Sequence, residues 1–205
     1  PVMEENGTIV TMGQWLVDEV CRQIAAWRTE YDGEVTVSVN ISHREFWADS
    51  LLTTVAQALD THAVPPECLV LEITESVIMA DPSAARQTMT DLHGLGVRLH
   101  IDDFGTGQSS LHALRTFPVD ALKIDGSFIR ELGQVEQTTE LVRIIVDMGK
   151  ALGLDVVAEC VETTEQAEHL QGLGCANAQG WLYARAMPGA DAGALLGRSL
   201  ALALR

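Results

Sequence analysis

The sequence predicts an α/β fold of the barrel type, with parallel strands that gather their polar groups at one mouth. Three observations carry this. Short β-branched apolar runs alternate with longer amphipathic ones along the 205 residues, a pattern that implies parallel strands joined by right-handed crossovers. Each strand candidate has an ionisable or amide residue at or next to its C-terminal side. No glycine-rich dinucleotide or phosphate-loop pattern is present to support an open doubly wound sheet. An open sheet collects ligands chiefly at its topological switch point, whereas a barrel brings all strand ends around one mouth, so polar residues on every strand favour the barrel.

The elements follow in order. A first helix is expected over residues 11–29, then a strand over 35–41 (VTVSVNI) that carries Asn40 near its end. A helix over 44–61 leads to a strand over 68–73 (CLVLEI) that contains Glu72. Asp81 caps the next helix, over 83–95, ahead of Pro82 at its first position, and Gly96 follows where a left-handed cap prefers glycine. The strand over 97–101 (VRLHI) runs into Asp102 and Asp103, and a helix is expected over 109–116. A strand over 121–124 (ALKI) holds Lys123 and is followed by Asp125. The helix over 136–152 ends at Gly153, and the strand over 155–158 (DVVA) ends at Glu159. Thr163 and Gln166 form a capping box for the helix over 164–173, which Gly174 closes. A short strand is expected over 180–183 (GWLY), with Gln179 just before it, and a last helix over 190–204. These are six strands where a closed barrel has eight, so the strands that complete it are expected upstream of Pro1. The chain is accordingly expected to be one domain over residues 1–205, a fragment of a longer polypeptide or a processed chain.

Composition agrees with one globular core: 47% hydrophobic and 20% charged residues. The net charge of -16, with Lys and Arg scattered, disfavours a long nucleic acid as partner. The four cysteines have no CxxC spacing, which suits buried thiols in a reducing compartment and hence a cytoplasmic location. The opening PVMEENG has neither the basic nor the apolar region of a signal peptide, and no apolar run nears the ~18 residues of a span, so no membrane contact by this domain is expected.

Carboxylates and an amide converging at a barrel mouth make an all-oxygen site, which suits Mg²⁺ or Mn²⁺ and argues against zinc. In LHIDDFGTG, the adjacent Asp102 and Asp103 leave the strand in diverging directions and can each give an oxygen to one of two ions. Asp103 also fits an Asx turn before Gly105, and Glu75 in LEITES fits a helix start. His100 reads as a core histidine, and Glu165 and Glu168 as a solvated helix face. Lys123 is harder to explain structurally, because an ammonium between Leu122 and Ile124 in a buried strand is costly unless an anion meets it. Asp125, two residues on, shares its strand face.

The stretches PVMEENGTI, SVNIS, LEITES, IDDFGTGQSSL, LKIDGSFI, VAECVET and AQGWLYARAMP, in this order, resemble the EAL domain family of bacterial cyclic di-GMP phosphodiesterases. The resemblance implies a TIM-like (β/α)8 barrel with one reversed strand, N-terminally incomplete in this chain. It implies Asn40, Glu72, Asp102, Asp103, Asp125 and Glu159 as metal ligands or their close supports, with two Mg²⁺ or Mn²⁺ ions. Lys123 and Gln179 would hold the attacking water or the substrate phosphate, with Glu162 nearby, and Glu75 would anchor the loop over 103–110. The implied reaction is hydrolysis of cyclic di-GMP to linear pGpG; the alternative is a domain that binds the dinucleotide without turnover. A homodimer and an upstream sensory or GGDEF domain are the implied partners. The glutamate of the family's Glu-x-Leu motif falls upstream of Pro1. Cys160 stands where the family has glycine, Ala176 where it has aspartate and Ala186 where it has proline.

Overall fold

The computed structural model describes residues 7–31, 35–107 and 114–203, with side chains through residue 197. Its six strands form one sheet in chain order: β1 (Val37–Ile41), β2 (Leu69–Thr74), β3 (Arg98–Phe104), β4 (Ala121–Ile124), β5 (Asp155–Ala158) and β6 (Asn177–Ala178). The pairs β3–β4, β4–β5 and β5–β6 are parallel. β4 is buried at every position and β2 at all but the last, as expected of parallel strands covered on both faces. The helices are α1 (Thr8–Glu30), α2 (His43–Phe46), α3 (Leu51–His62), α4 (Glu75–Ala80), α5 (Pro82–Gly94), α6 (Gly126–Glu131), α7 (Glu136–Leu152), α8 (Thr164–Leu173) and α9 (Gly189–Ala203).

The chain divides into two compact units, the first formed by Pro1–Leu71, Gly94–Arg98 and Ala186–Arg205, the second by Glu72–His93 and Leu99–Arg185. In the first, α1 turns Gly13, Val17, Cys21 and Ile24 inward and packs on α3 and β1. Gly13 leaves the space that the Glu45 carboxylate fills, since a Cβ there would lie 1.5 Å from Glu45 Oε1. Buried Glu45 is held in turn by a capping box with Ser42, whose backbone N–H donates to its Oε2 at 2.9 Å. That box starts α2, and the chain leaves helical geometry at Trp47 before α3 begins. The single helix expected over 44–61 is therefore two. Phe46, almost fully buried and edge-on to Trp47 at 4.9 Å, anchors the break.

In the second unit, α7 packs Val142, Ile145, Val146 and Gly149 against β4 and β5. The N-terminal ends of the strands are tied by Asp120: its carboxylate accepts from Leu99 N–H at 2.7 Å, and its carbonyl from Asp155 N–H at 2.9 Å. Asp81 caps α5 through Ser83 and Ala84 N–H, and the Thr163–Gln166 box caps α8. Two short helices, α4 and α6, follow β2 and β4; α4 begins at Glu75, where a helix start was read, and α6 lies outside the expected set. The helix expected over 109–116 falls largely outside the described residues.

The last strand is displaced from its expected place. β6 is Asn177–Ala178, and residues 180–183 form a turn in which Leu182 N–H donates to Val161 O and Tyr183 N–H to Gly180 O. The backbone of Gly180 passes so close to Val161 that a Cβ would sit 2.2 Å from its carbonyl oxygen, so only glycine fits at this turn. Gln179 thus follows the final strand instead of preceding it. Among the described residues no helix is long and apolar enough to cross a membrane. Cys21, Cys68 and Cys175 are buried free thiols and Cys160 is exposed; burial pushes the Cys21 thiol up to about 11.

Candidate active site

The second unit assembles its polar groups where strands end. Lys123, 2% exposed, points its ammonium at Glu72 Oε2 (2.5 Å), Glu159 Oε1 (2.6 Å) and Asp102 Oδ1 (3.1 Å). Burial disfavours that ammonium, but its bonds to Glu159 and Glu72 outweigh the loss and raise its pKa, so it is held charged. Gln179 donates to Glu159 Oε1 at 2.7 Å. This linkage follows from β6 ending at Ala178, with Gln179 N–H on Ala158 O.

Asp102 and Asp103 are separated by the way β3 ends. The register to β4 shifts between Ile101 and Phe104, and Asp103 adopts a left-handed backbone (φ +54). Adjacent carboxylates are thereby aimed differently, with Asp103 N–H returning to Asp102 Oδ1 at 3.0 Å. Asp102, Asp103 and Glu159 each bring one oxygen within 4.8 Å of the others. Burial, with Asp102 and Asp125 nearby, raises the pKa of Asp103. Burial likewise raises Glu159, against the pull of Lys123. Asp125 goes the other way: burial alone would raise it, but the hydroxyl and N–H of Ser127 and the charge of Arg130 hold it down. The same bonds make Asp125 the cap of α6.

Glu75 is 2% exposed, and its Oε2 accepts from Gly105 N–H at 3.1 Å. Gly107 crosses the same carboxylate so closely that a Cβ would lie 2.4 Å from Oε1. The loop after β3 therefore sits on a buried carboxylate, as far as residue 107. Glu162 is exposed, and its backbone N–H donates to Gln166 Oε1 at 2.8 Å. Gln166 also donates to Ile129 O at 3.1 Å, so the capping glutamine ties the Glu162 segment to the end of α6. Asn40 stands at the penultimate position of β1 in the first unit, exposed.

Of the residues expected to act together, Glu72, Asp102, Asp103, Lys123, Asp125, Glu159 and Gln179 stand in one connected cluster. Two supports were not anticipated. Ser127 orients Asp125, and its signal was the Asp-x-Ser spacing after a strand, a side-chain capping pattern. Gln166 was read only as a helix cap.

Three carboxylates (Glu72, Asp102, Glu159) meet the Lys123 ammonium, with Asp103 and Asp125 beside them and Arg130 near Asp125, an excess of negative charge that leaves room for further cations. Their donors are all oxygen, so the set fits hard divalent ions. A parallel α/β sheet with an acidic, all-oxygen cluster at its strand ends is the arrangement of the TIM-like barrel class. The EAL domain family matches residues 1–186, and the chain belongs to that family.

The relatives agree. The chain is 42% identical over 188 residues to the bifunctional diguanylate cyclase/cyclic di-GMP phosphodiesterase MucR of Pseudomonas aeruginosa, covering 92% of this chain and 27% of MucR. The chain thus spans about a quarter of the length of the curated relatives it matches. A solved c-di-GMP complex of the PaMucR phosphodiesterase superposes with a TM-score of 0.91 at 41% identity, over 94% of this chain and 78% of that one. A manganese/cy-diGMP complex of Klebsiella pneumoniae BlrP1 superposes with a TM-score of 0.78 at 25% identity, over 86% and 44% of the respective chains.

Proposed function

We propose that this chain is the phosphodiesterase module of a bacterial signalling protein, hydrolysing one phosphodiester bond of cyclic di-GMP to give linear pGpG with Mg²⁺ or Mn²⁺. The observation that carries the reading is the joined cluster of Glu72, Asp102, Asp103, Asp125, Glu159, Lys123 and Gln179. It is supported by relatives described as cyclic di-GMP phosphodiesterases or as complexes with that dinucleotide.

The carboxylates of Glu72, Asp102, Asp103, Asp125 and Glu159 would hold two divalent ions. Bound there, the ions would activate a water and neutralise phosphoryl oxygens. The chain's own groups do the rest. Lys123 presents a permanently charged ammonium inside a buried strand, a preorganised donor for a phosphate oxygen or for the lone pair of the water. Gln179 keeps the Glu159 carboxylate turned toward Lys123 and offers its remaining amide donor hydrogen to the substrate phosphate. Glu162, exposed on a segment fixed by Gln166, would exchange protons with solvent. Glu75 holds the loop after Asp103, which sets the direction of the Asp103 carboxylate. A homodimer, an upstream input or GGDEF domain and a cytoplasmic location complete the reading.

The test is chromatography of cyclic di-GMP incubated with the complete polypeptide, with and without a chelator. Appearance of pGpG that stops on chelation supports hydrolysis. Retained binding without product would make the chain a receptor.

A further inference from the structure

Cys160 directly follows Glu159, and its backbone is left-handed (φ +55), a conformation that side chains other than glycine adopt at a cost. The bend has a visible effect. Glu159 N–H donates to Ile124 O of β4 at 3.2 Å, whereas Val161 N–H donates to Gln179 O beyond β6 at 3.0 Å, so the chain changes partner across this one residue. The thiol side chain is packed against Gly126: a Cβ built there would lie 2.7 Å from both Cβ and Sγ of Cys160. Gly126 is buried, opens α6 and is bonded to Asp125, the residue that caps that helix. One side chain therefore bridges the two strand ends that carry Glu159 and Asp125.

We propose that Cys160 is a positioning residue: wedged on Gly126, it sets the separation of the Glu159 and Asp125 carboxylates, where the family pattern has only glycine. The inference rests on the reading of these carboxylates as cation ligands. It assigns no chemistry to sulfur. The glycine at 126 and the cysteine at 160 form a complementary small-large pair, and lengthening one demands shortening the other.

The pair is tested in the complete polypeptide with Gly126→Ala, Cys160→Gly, Cys160→Ser and the double variant Gly126→Ala/Cys160→Gly. Mn²⁺ affinity is read by electron paramagnetic resonance, beside kcat, KM and melting temperature. Groups that orient ligands commonly change metal affinity by about 10- to 100-fold. Gly126→Ala is expected to weaken Mn²⁺ binding by about ten-fold or more, and the double variant to recover most of that loss. Cys160→Gly is expected to lower Mn²⁺ affinity and kcat, leave KM unchanged and not lower the melting temperature, since it relieves the left-handed strain. Cys160→Ser is expected to keep the parent affinity. Parent affinity and kcat in Cys160→Gly, or no recovery in the double variant, would overturn the inference. Mn²⁺ binding by the parent without hydrolysis would contradict the proposed reaction and leave this test intact; no Mn²⁺ binding by the parent would overturn both.

Discussion

Lys123 shows how much a single residue constrains. A buried lysine flanked by leucine and isoleucine needs anions, and three carboxylates meet it within 3.1 Å. Removing it should leave them facing one another, so Lys123→Ala is expected to cost about 3–5 kcal/mol in metal-free protein. Mn²⁺ should recover part of that loss, a larger gain than in the parent; equal gains in melting temperature would disagree. The titration of the site adds a second expectation. The raised pKa values of Asp103 and Glu159 mean that the metal-free folded protein holds protons more tightly there than the unfolded chain does. Their contribution is full below the ordinary carboxylate range and is lost as pH rises through the folded values. Asp125, with its lowered pKa, contributes in the opposite sense, above the ordinary range, and loses this as pH falls. Melting with chelator present should therefore decline as the pH is raised out of the carboxylate range, and divalent ions should reverse the decline. The divergence of Asp102 and Asp103 was expected from the sequence, but the backbone geometry that aims them was not legible at this scale. It depends on a left-handed residue within a strand, which composition does not announce.

Among the elements, α7 and β5 give the sharpest prediction. Glycine inside a helix is ordinarily improved by alanine, but a Cβ on Gly149 would lie 2.3 Å from Val156 Cγ2. Gly149→Ala is expected to destabilise by about 1–3 kcal/mol, read as a lower urea midpoint with an unchanged slope. Thr163→Ala removes the cap of α8 and is expected to cost about 1 kcal/mol. Strands with apolar β-branched runs, from 35–41 to 155–158, and the helices after capping residues were legible because pattern and burial coincide. α4 and α6, six residues each, are too short for a helical period to show. The break after Phe46 and the turn at Gly180 depend on contacts with distant residues, Trp47 packing aside, and so shifted a helix boundary and the sixth strand. The position of Gln179 at a strand end was expected from the wrong side of it.

At the scale of the whole chain, the sheet order, the oxygen donors and the family agree on one reading, in which metal binding and fold stability are linked. A divalent ion present at about 100 times its dissociation constant should add about 2.7 kcal/mol of stability, provided that the unfolded chain does not bind it. Polar residues on every strand carried the barrel reading from the sequence. The grouping of strand ends into one cluster became visible only with the register shift in β3 and the placement of β6. The most direct measurement is the rate of pGpG formation from cyclic di-GMP by the complete polypeptide at saturating Mn²⁺, with the parent, Asp102→Asn and Glu159→Gln compared. The account predicts turnover by the parent and none by either variant; near-parent turnover by either one would contradict it.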